Sequence, residues 1–392
     1  AKKKKIPADL LCDPFASFFL EHRQFGVGVQ GGLETVIHSI QLLSQQFPER
    51  LWIKLDVINA FNTAKRTSSF AVLKRRFPAT IKLLRNFYGE QWITVFNARK
   101  ADELFSLLVS TGSSQGDVYG GLMFCAAYSE VLQATIKKFP GKVEIFSYHD
   151  DTYVQVDSRH ANTVVGFMER EAKKHNIVYS LGKSAIWRPS LQQIPASVLP
   201  AIVKRNVEGL EVLGTPIGTH EFCKAFMNGV VEKYDELHQR LRGMDDPQSQ
   251  YLLLRYCCCN NLNHWLRTVS PEDVQEAAER FDVKSHDTVT TMLSPQNQMF
   301  VLPDRAELQV RLIVKKGGLG LVSASRTADP AWLGSWSLTK KLLKSVLQNH
   351  PAIVSRLDNF SGDISADHTT ARSVSASTSS RLALELDRRK LE

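Results

Sequence analysis

The sequence predicts an α+β chain, an antiparallel sheet with helices on one face followed by a mostly helical half. Three observations carry this. The run Leu51 to Leu55 reads as a short buried strand, and it ends in an acid, Asp56. Two β-prone runs, Val143 to Tyr148 and Thr152 to Val156, flank an acidic stretch and read as strands joined by a very tight turn. Beyond Gly218 strand signals become few, and Ala225 to Gly243 and Gln248 to Thr268 read as long helical stretches.

Composition is that of a globular protein, 43% hydrophobic and 23% charged over 392 residues. That length buries a large core divided among one to three domains or subdomains. The formal net charge of +9 favours polyanionic partners, with a basic protein lacking any such partner as the alternative. No run of 18 or more apolar residues occurs, so no membrane span is expected, and no secretory signal is visible at the start. The six cysteines form no C-x-x-C pair. The triplet Cys257 to Cys259 lies in an apolar helical run, which points to buried structural thiols in a reducing compartment, nuclear or cytoplasmic.

Taken in order, Lys2 to Lys5 form a small basic cluster that would touch nucleic acid, serve as a nuclear-import signal or, the commoner reading, be a frayed, solvated end. Phe15 to Arg23 leads as a helix into the glycine-rich Gly26 to Gly32 loop, and Leu33 to Gln46 has an apolar helical face. Ser68 to Phe77 and Thr80 to Tyr88 read as helices split at Pro78. They carry Lys74, Arg75, Arg76, Lys82 and Arg85, which would line a nucleic-acid backbone groove or form a charged outer face. Trp92 to Ala98 and Glu103 to Thr111 read as strands running into a loop, Thr111 to Gly121, that opens the helical run Leu122 to Leu132. Ala161 to His175 is an amphipathic helix. Pro271 opens another through Arg280, with Ser270 as its N-cap. Residues 357–380 are rich in Ser and Thr and read as a flexible linker, and Arg381 to Leu391 reads as a short terminal helix.

The chemistry gathers at acids. Asp150 and Asp151 are adjacent like charges where most hairpins carry Asn-Gly or Asp-Gly. Their repulsion is costly unless a cation lies between them, and carboxylate oxygens suit Mg²⁺. An ordinary solvated acidic turn is the competing reading. The order of the chain adds weight: strand-Asp56, then a loop with Gln115 and Gly116 opening a helix, then a hairpin with Asp150 and Asp151.

These three stretches resemble the palm motifs of reverse transcriptases. In that family an aspartate ends the first palm strand with an aromatic five residues later, as Asp56 and Phe61 stand here. A Gln-Gly opens a helix, matched by Gln115 and Gly116. An aromatic-x-Asp-Asp hairpin follows, matched by Tyr148-His149-Asp150-Asp151. The finer texture resembles the non-LTR retrotransposon branch, in Gln24 to Gly32, in Gly182-Lys183-Ser184 followed by Trp187, in the primer-side turn Val212 to Gly218, and in Gly317 to Leu321. The resemblance covers roughly residues 20–340 and is most specific between 50 and 220.

What the resemblance implies is a polymerase palm and thumb. The expected segments are an approach from the fingers over 1–50, the palm over 51–220, a helical thumb or connection over 221–345, and a tail over 346–392. The implied activity is RNA-directed DNA polymerisation, extending a DNA primer on an RNA template with dNTPs. The implied cofactor is a pair of Mg²⁺ ions, with Mn²⁺ as the substitute. Asp56 and Asp150 would bridge both ions, Asp151 would be the weaker ligand, and Val57 would add a backbone carbonyl. The three acids would then converge within about one metal shell. Phe61 would stack under the sugar and exclude a 2′-hydroxyl, which argues against an RNA-directed RNA polymerase. Gln115 and Gly116 would hold the template and incoming base, and Lys183 would assist pyrophosphate departure. Tyr148, Gly214, Thr215 and Pro216 would meet the primer or template. The family's fingers, with their triphosphate-clamping lysine and arginine, have no counterpart before Gln24. The expectation is therefore a fragment or a degenerate copy, and a non-catalytic nucleic-acid-binding remnant is the second reading.

Overall fold

The structure is a computed structural model that describes residues 9–89, 92–97, 104–113, 116–294 and 302–359. It begins with helices α1 (Asp9–Glu21) and α2 (Gly32–Gln46), then strand β1 (Leu51–Leu55) and helices α3 (Ala60–Thr63), α4 (Arg66–Arg76) and α5 (Ile81–Tyr88). The hairpin β2 (Trp92–Asn97) and β3 (Leu104–Val109) leads to α6 (Gly120–Lys138), β4 (Val143–Tyr148), β5 (Asp151–Val156) and α7 (Ser158–Lys174). Short strands follow: β6 (Ala185–Trp187), β7 (Lys204–Arg205), β8 (Gly209–Val212) and β9 (Thr215–Gly218). The remainder is helical: α8 (His220–Arg242), α9 (Pro247–Leu253), α10 (Asn263–Thr268), α11 (Pro271–Leu293), α12 (Asp304–Arg311), α13 (Ala324–Val346) and α14 (Pro351–Asp358). The expected linker and terminal helix beyond residue 359 lie outside the described residues.

The chain divides into two compact units, one of Ala1–Val36 with Leu42–Leu210 and one of Ile37–Gln41 with Glu211–Glu392. The first is built on a five-stranded sheet in the order β4-β5-β1-β6-β7. It is antiparallel, as expected, except for the short parallel pairing of β6 with β7. Period-two alternation sorts the side chains. Leu51, Ile53 and Leu55 of β1, Val154 and Val156 of β5, and Val143 and Ile145 of β4 join one core with Phe124, Tyr128, Val131 and Leu132 of α6 and Val164, Val165 and Met168 of α7. Each such burial stabilises by about 1.5–3 kcal/mol before the entropy of ordering is subtracted. Trp52 and Tyr153 point to the other face and are fully buried there, with the Phe146 ring 6.2 Å from Trp52 and 5.9 Å from Phe25.

In the second unit α8 packs along α11, and α13 packs on α10 and α11. Gln248 to Thr268 is not one helix: α9 gives way to a π-turn over Leu254–Cys258, and α10 starts only at Asn263. Asn260 and Asn261 sit in the break, where their side chains compete with helical hydrogen bonding. The same wide turn leaves Cys257 exposed while Cys258 and Cys259 are buried, a correction to the expectation of three buried thiols. Helix α11 runs on to Leu293, well past Arg280, because its apolar face continues through Phe281 and Val289. Ser270 is at the N-cap, but its hydroxyl caps nothing; its carbonyl accepts from the Asp273 and Val274 amides.

Candidate active site

The β4–β5 ladder closes with Tyr148 opposite Asp151, leaving His149 and Asp150 as a two-residue turn. His149 has φ 54°, a left-handed conformation that hairpin turns normally give to Gly, Asn or Asp. Such a residue persists only where its surroundings over-determine it. Here they do. The His149 N–H donates to Gln24 Oε1 at 2.7 Å, and the His149 carbonyl accepts from Gln24 Nε2 at 2.9 Å. Its ring is held between two glycines: a Cβ on Gly26 would come within 2.8 Å of it, and one on Gly121 within 2.9 Å. Cys125 Sγ lies 3.5 Å from His149 Nδ1. Burial lowers the His149 pKa against the opposing charge of Asp150, and burial raises the Cys125 thiol well above its ordinary value.

Asp56 stands one residue beyond Leu55, which pairs with Thr152 in the β1–β5 ladder. That places Asp56 at the end of the sheet that holds the turn. The Asp56 amide donates to Ser184 Oγ at 3.3 Å, and its carbonyl accepts from the Ser180 amide at 2.8 Å. Val57 forms an isolated antiparallel bridge with Tyr179, flanked by the Asp56 and Ile58 hydrogen bonds to that segment. Val57's own N–H and C=O therefore point to the opposite side, as in any non-hydrogen-bonded antiparallel pair.

The three carboxyl groups do not converge as expected. Among the described residues, no three His, Cys, Asp or Glu side chains stand together closely enough to hold a metal ion. Like charges hold apart without a cation, and Asp151 instead lies 4.0 Å from Lys54 Nζ. In donor type and backbone placement the residues still fit a divalent ion. Asp56, Asp150 and Asp151 are all partly exposed, all offer oxygen, and sit at neighbouring strand ends. The nearby sulfur, Cys125, is fully buried and held as a thiol.

Phe61 is on α3, half-buried, with its ring 6.2 Å from the His149 ring and 5.5 Å from Phe124. The loop leading to α6 is laced onto it: Ser113 N donates to the Phe61 carbonyl at 2.7 Å, Thr111 Oγ1 to the Asn62 carbonyl at 3.2 Å, and Arg66 Nε to the Gly112 carbonyl at 2.8 Å. Gln115 lies outside the described residues; Gly116 has φ 82° with open space where a Cβ would be. Lys183 is exposed, in the turn before β6. Tyr148 is half-buried and meets the His149 ring edge-on at 5.2 Å.

In the second unit Leu213 (φ 48°) and Gly214 (φ 78°) form the two-residue turn between β8 and β9, both central residues being left-handed as a type I′ turn requires. The turn is fixed on α10: the Gly214 carbonyl accepts from Trp265 Nε1 at 2.8 Å, and Thr215 Oγ1 lies 3.0 Å from His264 Nε2 and 2.9 Å from Thr268 Oγ1. Thr215 and Pro216 are buried, while Leu213 and Gly214 are partly exposed.

Residues 12–217 match the family described as reverse transcriptase (RNA-dependent DNA polymerase). The chain belongs to the reverse transcriptase family. No curated protein sequence matches it. Among solved structures, it is similar to telomerase from Candida albicans, in complex with a TWJ fragment of telomeric RNA, at 10% identity and a TM-score of 0.44, over 90% of this chain and 57% of that one. Apo telomerase from Candida Tropicalis is similar at 10% identity and a TM-score of 0.42, over 89% of this chain and 60% of that one. The chain thus spans less than two thirds of the length of either telomerase chain. The family match covers the sheet, the acid turn, Asp56 and Phe61. Two features of this reverse transcriptase-family site escape a motif reading. One is the role of Gln24, which the sequence marks only as the first residue of the stretch Gln24 to Gly32 that resembles the family. The other is a buried hydroxyl chain: Tyr179 to Tyr128 at 2.9 Å, Tyr128 to Thr152 at 2.9 Å, and Thr152 to Ser147 at 3.0 Å. Periodicity marks such residues only as core.

Proposed function

We propose that the chain is the palm-and-thumb core of an RNA-directed DNA polymerase from a non-LTR retroelement, extending a DNA primer on an RNA template with dNTPs. The observation that carries this is the strand register that sets Asp56 at the Asp151 end of the sheet, within the region matched to the family. Asp56 and Asp150, with Asp151 and the Val57 carbonyl, would hold the divalent ions. Such ions, when bound, acidify the primer 3′-hydroxyl and neutralise the leaving pyrophosphate. The residues of the chain do the rest. Phe61, beside the turn, fills the volume of a 2′-hydroxyl and selects deoxynucleotides. The Gly116 backbone, left-handed and open, lets a nucleotide approach closely. Lys183 offers a cation to pyrophosphate, and the Leu213–Gly214 turn and Tyr148 face the primer strand. Exposed Lys74, Arg75, Arg76, Lys82 and Arg85 would neutralise phosphates.

A second reading, a nucleic-acid-binding remnant, is favoured by the Lys54–Asp151 ion pair and the ungathered carboxylates. Primer extension on an RNA template with dNTPs and Mg²⁺ separates the two. Incorporation that disappears in Asp56→Asn supports the polymerase. Salt-sensitive primer–template binding with no incorporation in a form carrying a fingers region supports the remnant.

A further inference from the structure

We propose that Gln24 is a positioning residue of the polymerase site, setting the geometry in which the Asp150–Asp151 turn holds a divalent ion. This rests on the reading of that turn as metal-holding. The side chain is fully buried, and its amide uses its whole hydrogen-bonding capacity. Nε2 donates to the His149 carbonyl at 2.9 Å and to Ser147 Oγ at 3.1 Å. Oε1 accepts from the His149 amide at 2.7 Å and the Gly26 amide at 3.1 Å. Two of the four bonds grip both backbone polar groups of the one left-handed residue that aims Asp150.

The backbone reinforces the grip. Phe25 N donates to the Ser147 carbonyl at 2.7 Å, and Ser147 N donates to the Arg23 carbonyl at 2.9 Å, so Gln24 sits as a parallel bridge on the outer edge of β4. No other side chain supplies this set. Glutamate cannot donate, asparagine is one methylene short, and methionine has the length without the polar atoms. Substitution would free His149 to leave its left-handed conformation, moving the acids rather than dissolving the core. Groups that orient metal ligands from behind typically control affinity by roughly 10–100-fold.

The test uses the 392-residue chain with Gln24→Met, Gln24→Glu and, as reference, Asp56→Asn. Mn²⁺ binding is followed by electron paramagnetic resonance, backbone protection by deuterium exchange over residues 146–153, and folding by thermal melting. The expected result is Mn²⁺ affinity weakened roughly 10–100-fold in both Gln24 variants, faster exchange concentrated in the hairpin, and a lowered melting temperature with the unfolding transition still cooperative, since four buried polar groups lose a partner. Parent-like Mn²⁺ affinity in folded Gln24 variants, with Asp56→Asn binding lost, overturns the role of Gln24 and leaves the metal reading standing. Unchanged Mn²⁺ binding in Asp56→Asn overturns the metal reading itself. A fall in melting temperature with affinity unmoved reduces Gln24 to a structural residue and also overturns the proposal. Should Gln24→Met not fold, Gln24→Glu, which keeps the Oε1 acceptor, decides by the same measurements.

Discussion

Leu55 and Thr152 are the last pair of the β1–β5 ladder, and an acid adjoins each in the chain, Asp56 after Leu55 and Asp151 before Thr152. Two strands far apart in sequence thus end in acids on the same side of the sheet's end, with their carboxyl groups not gathered. In the proposed polymerase Asp56→Asn keeps the size of the side chain and removes its charge. Incorporation should fall to background while the melting temperature stays within a few degrees. Residual activity near the parent's would reject Asp56 as a ligand.

Phe61 makes the sharpest forecast about substrate. Phe61→Ala or Phe61→Val should raise ribonucleotide use relative to deoxynucleotide use. A fully buried phenylalanine cut to alanine costs about 3–5 kcal/mol. Phe61 is only half-buried, so its variants should lose less and remain folded. The quantity to measure is the ratio of the two incorporation efficiencies. An unchanged ratio in a folded variant means that Phe61 only packs.

Gly112 has φ 58°, and a Cβ there would come within 2.3 Å of the Asn62 backbone. Gly112→Ala therefore strains the chain and collides with the peptide that carries Phe61 and Asn62. The strain alone costs about 1–3 kcal/mol. A clear fall in the urea midpoint is expected. Gly116→Ala, which meets open space, should cost only its own φ strain and disturb Phe61 less.

The hydroxyl chain under the turn should respond to single deletions. Thr152→Val keeps the shape and leaves Tyr128 and Ser147 each short of a partner, at a cost of about 1–3 kcal/mol. Tyr128→Phe removes the link to both Thr152 and Tyr179. A double-mutant cycle for the pair should show coupling, since the two residues share one bond. Additive effects would mean that the chain is not a unit.

Two histidines of the second unit forecast a pH dependence. Burial lowers His38 and His238 to about 4, against an ordinary value of 6.5. Their folded pKa is below the unfolded one, so the unfolded state takes up the proton first. The stability of this unit should be full above about pH 6.5, decline as pH falls toward 4, and gain no further loss from these groups below that. Denaturant midpoints across that window measure it, and His38→Gln with His238→Gln should flatten the slope.

Much of the first unit is legible in the sequence, because β1, β4 and β5 each have one face of alternating aliphatics and the turn has its acids side by side. The family motifs then relate Asp56, Phe61 and Asp150 across the chain. What periodicity hides is anything that depends on a long-range partner. Gln24 reads as a polar residue beside a loop, since its bonds go to Ser147 and His149. The break at Leu254–Cys258 reads as continuous helix, since the apolar Leu252 to Leu254 run on into Tyr256 and the three cysteines with no Gly or Pro between. The side-chain state of the acids is likewise invisible, since it is set by Lys54 opposite Tyr153 and by mutual repulsion.

The hydroxyl chain also has a direction. If Ser147 Oγ gives its proton to the His149 carbonyl, the arrangement that satisfies every member has Ser147 accept from Thr152, Thr152 from Tyr128, and Tyr128 from Tyr179. Each hydroxyl has one proton to give, and in that arrangement all four protons point toward the turn. Aligned O–H dipoles polarise one another in a buried medium. Their positive ends face the peptide that carries two adjacent carboxylates. So aligned, the floor of the site is a small electrode of the sign that eases the crowding of negative charge above it.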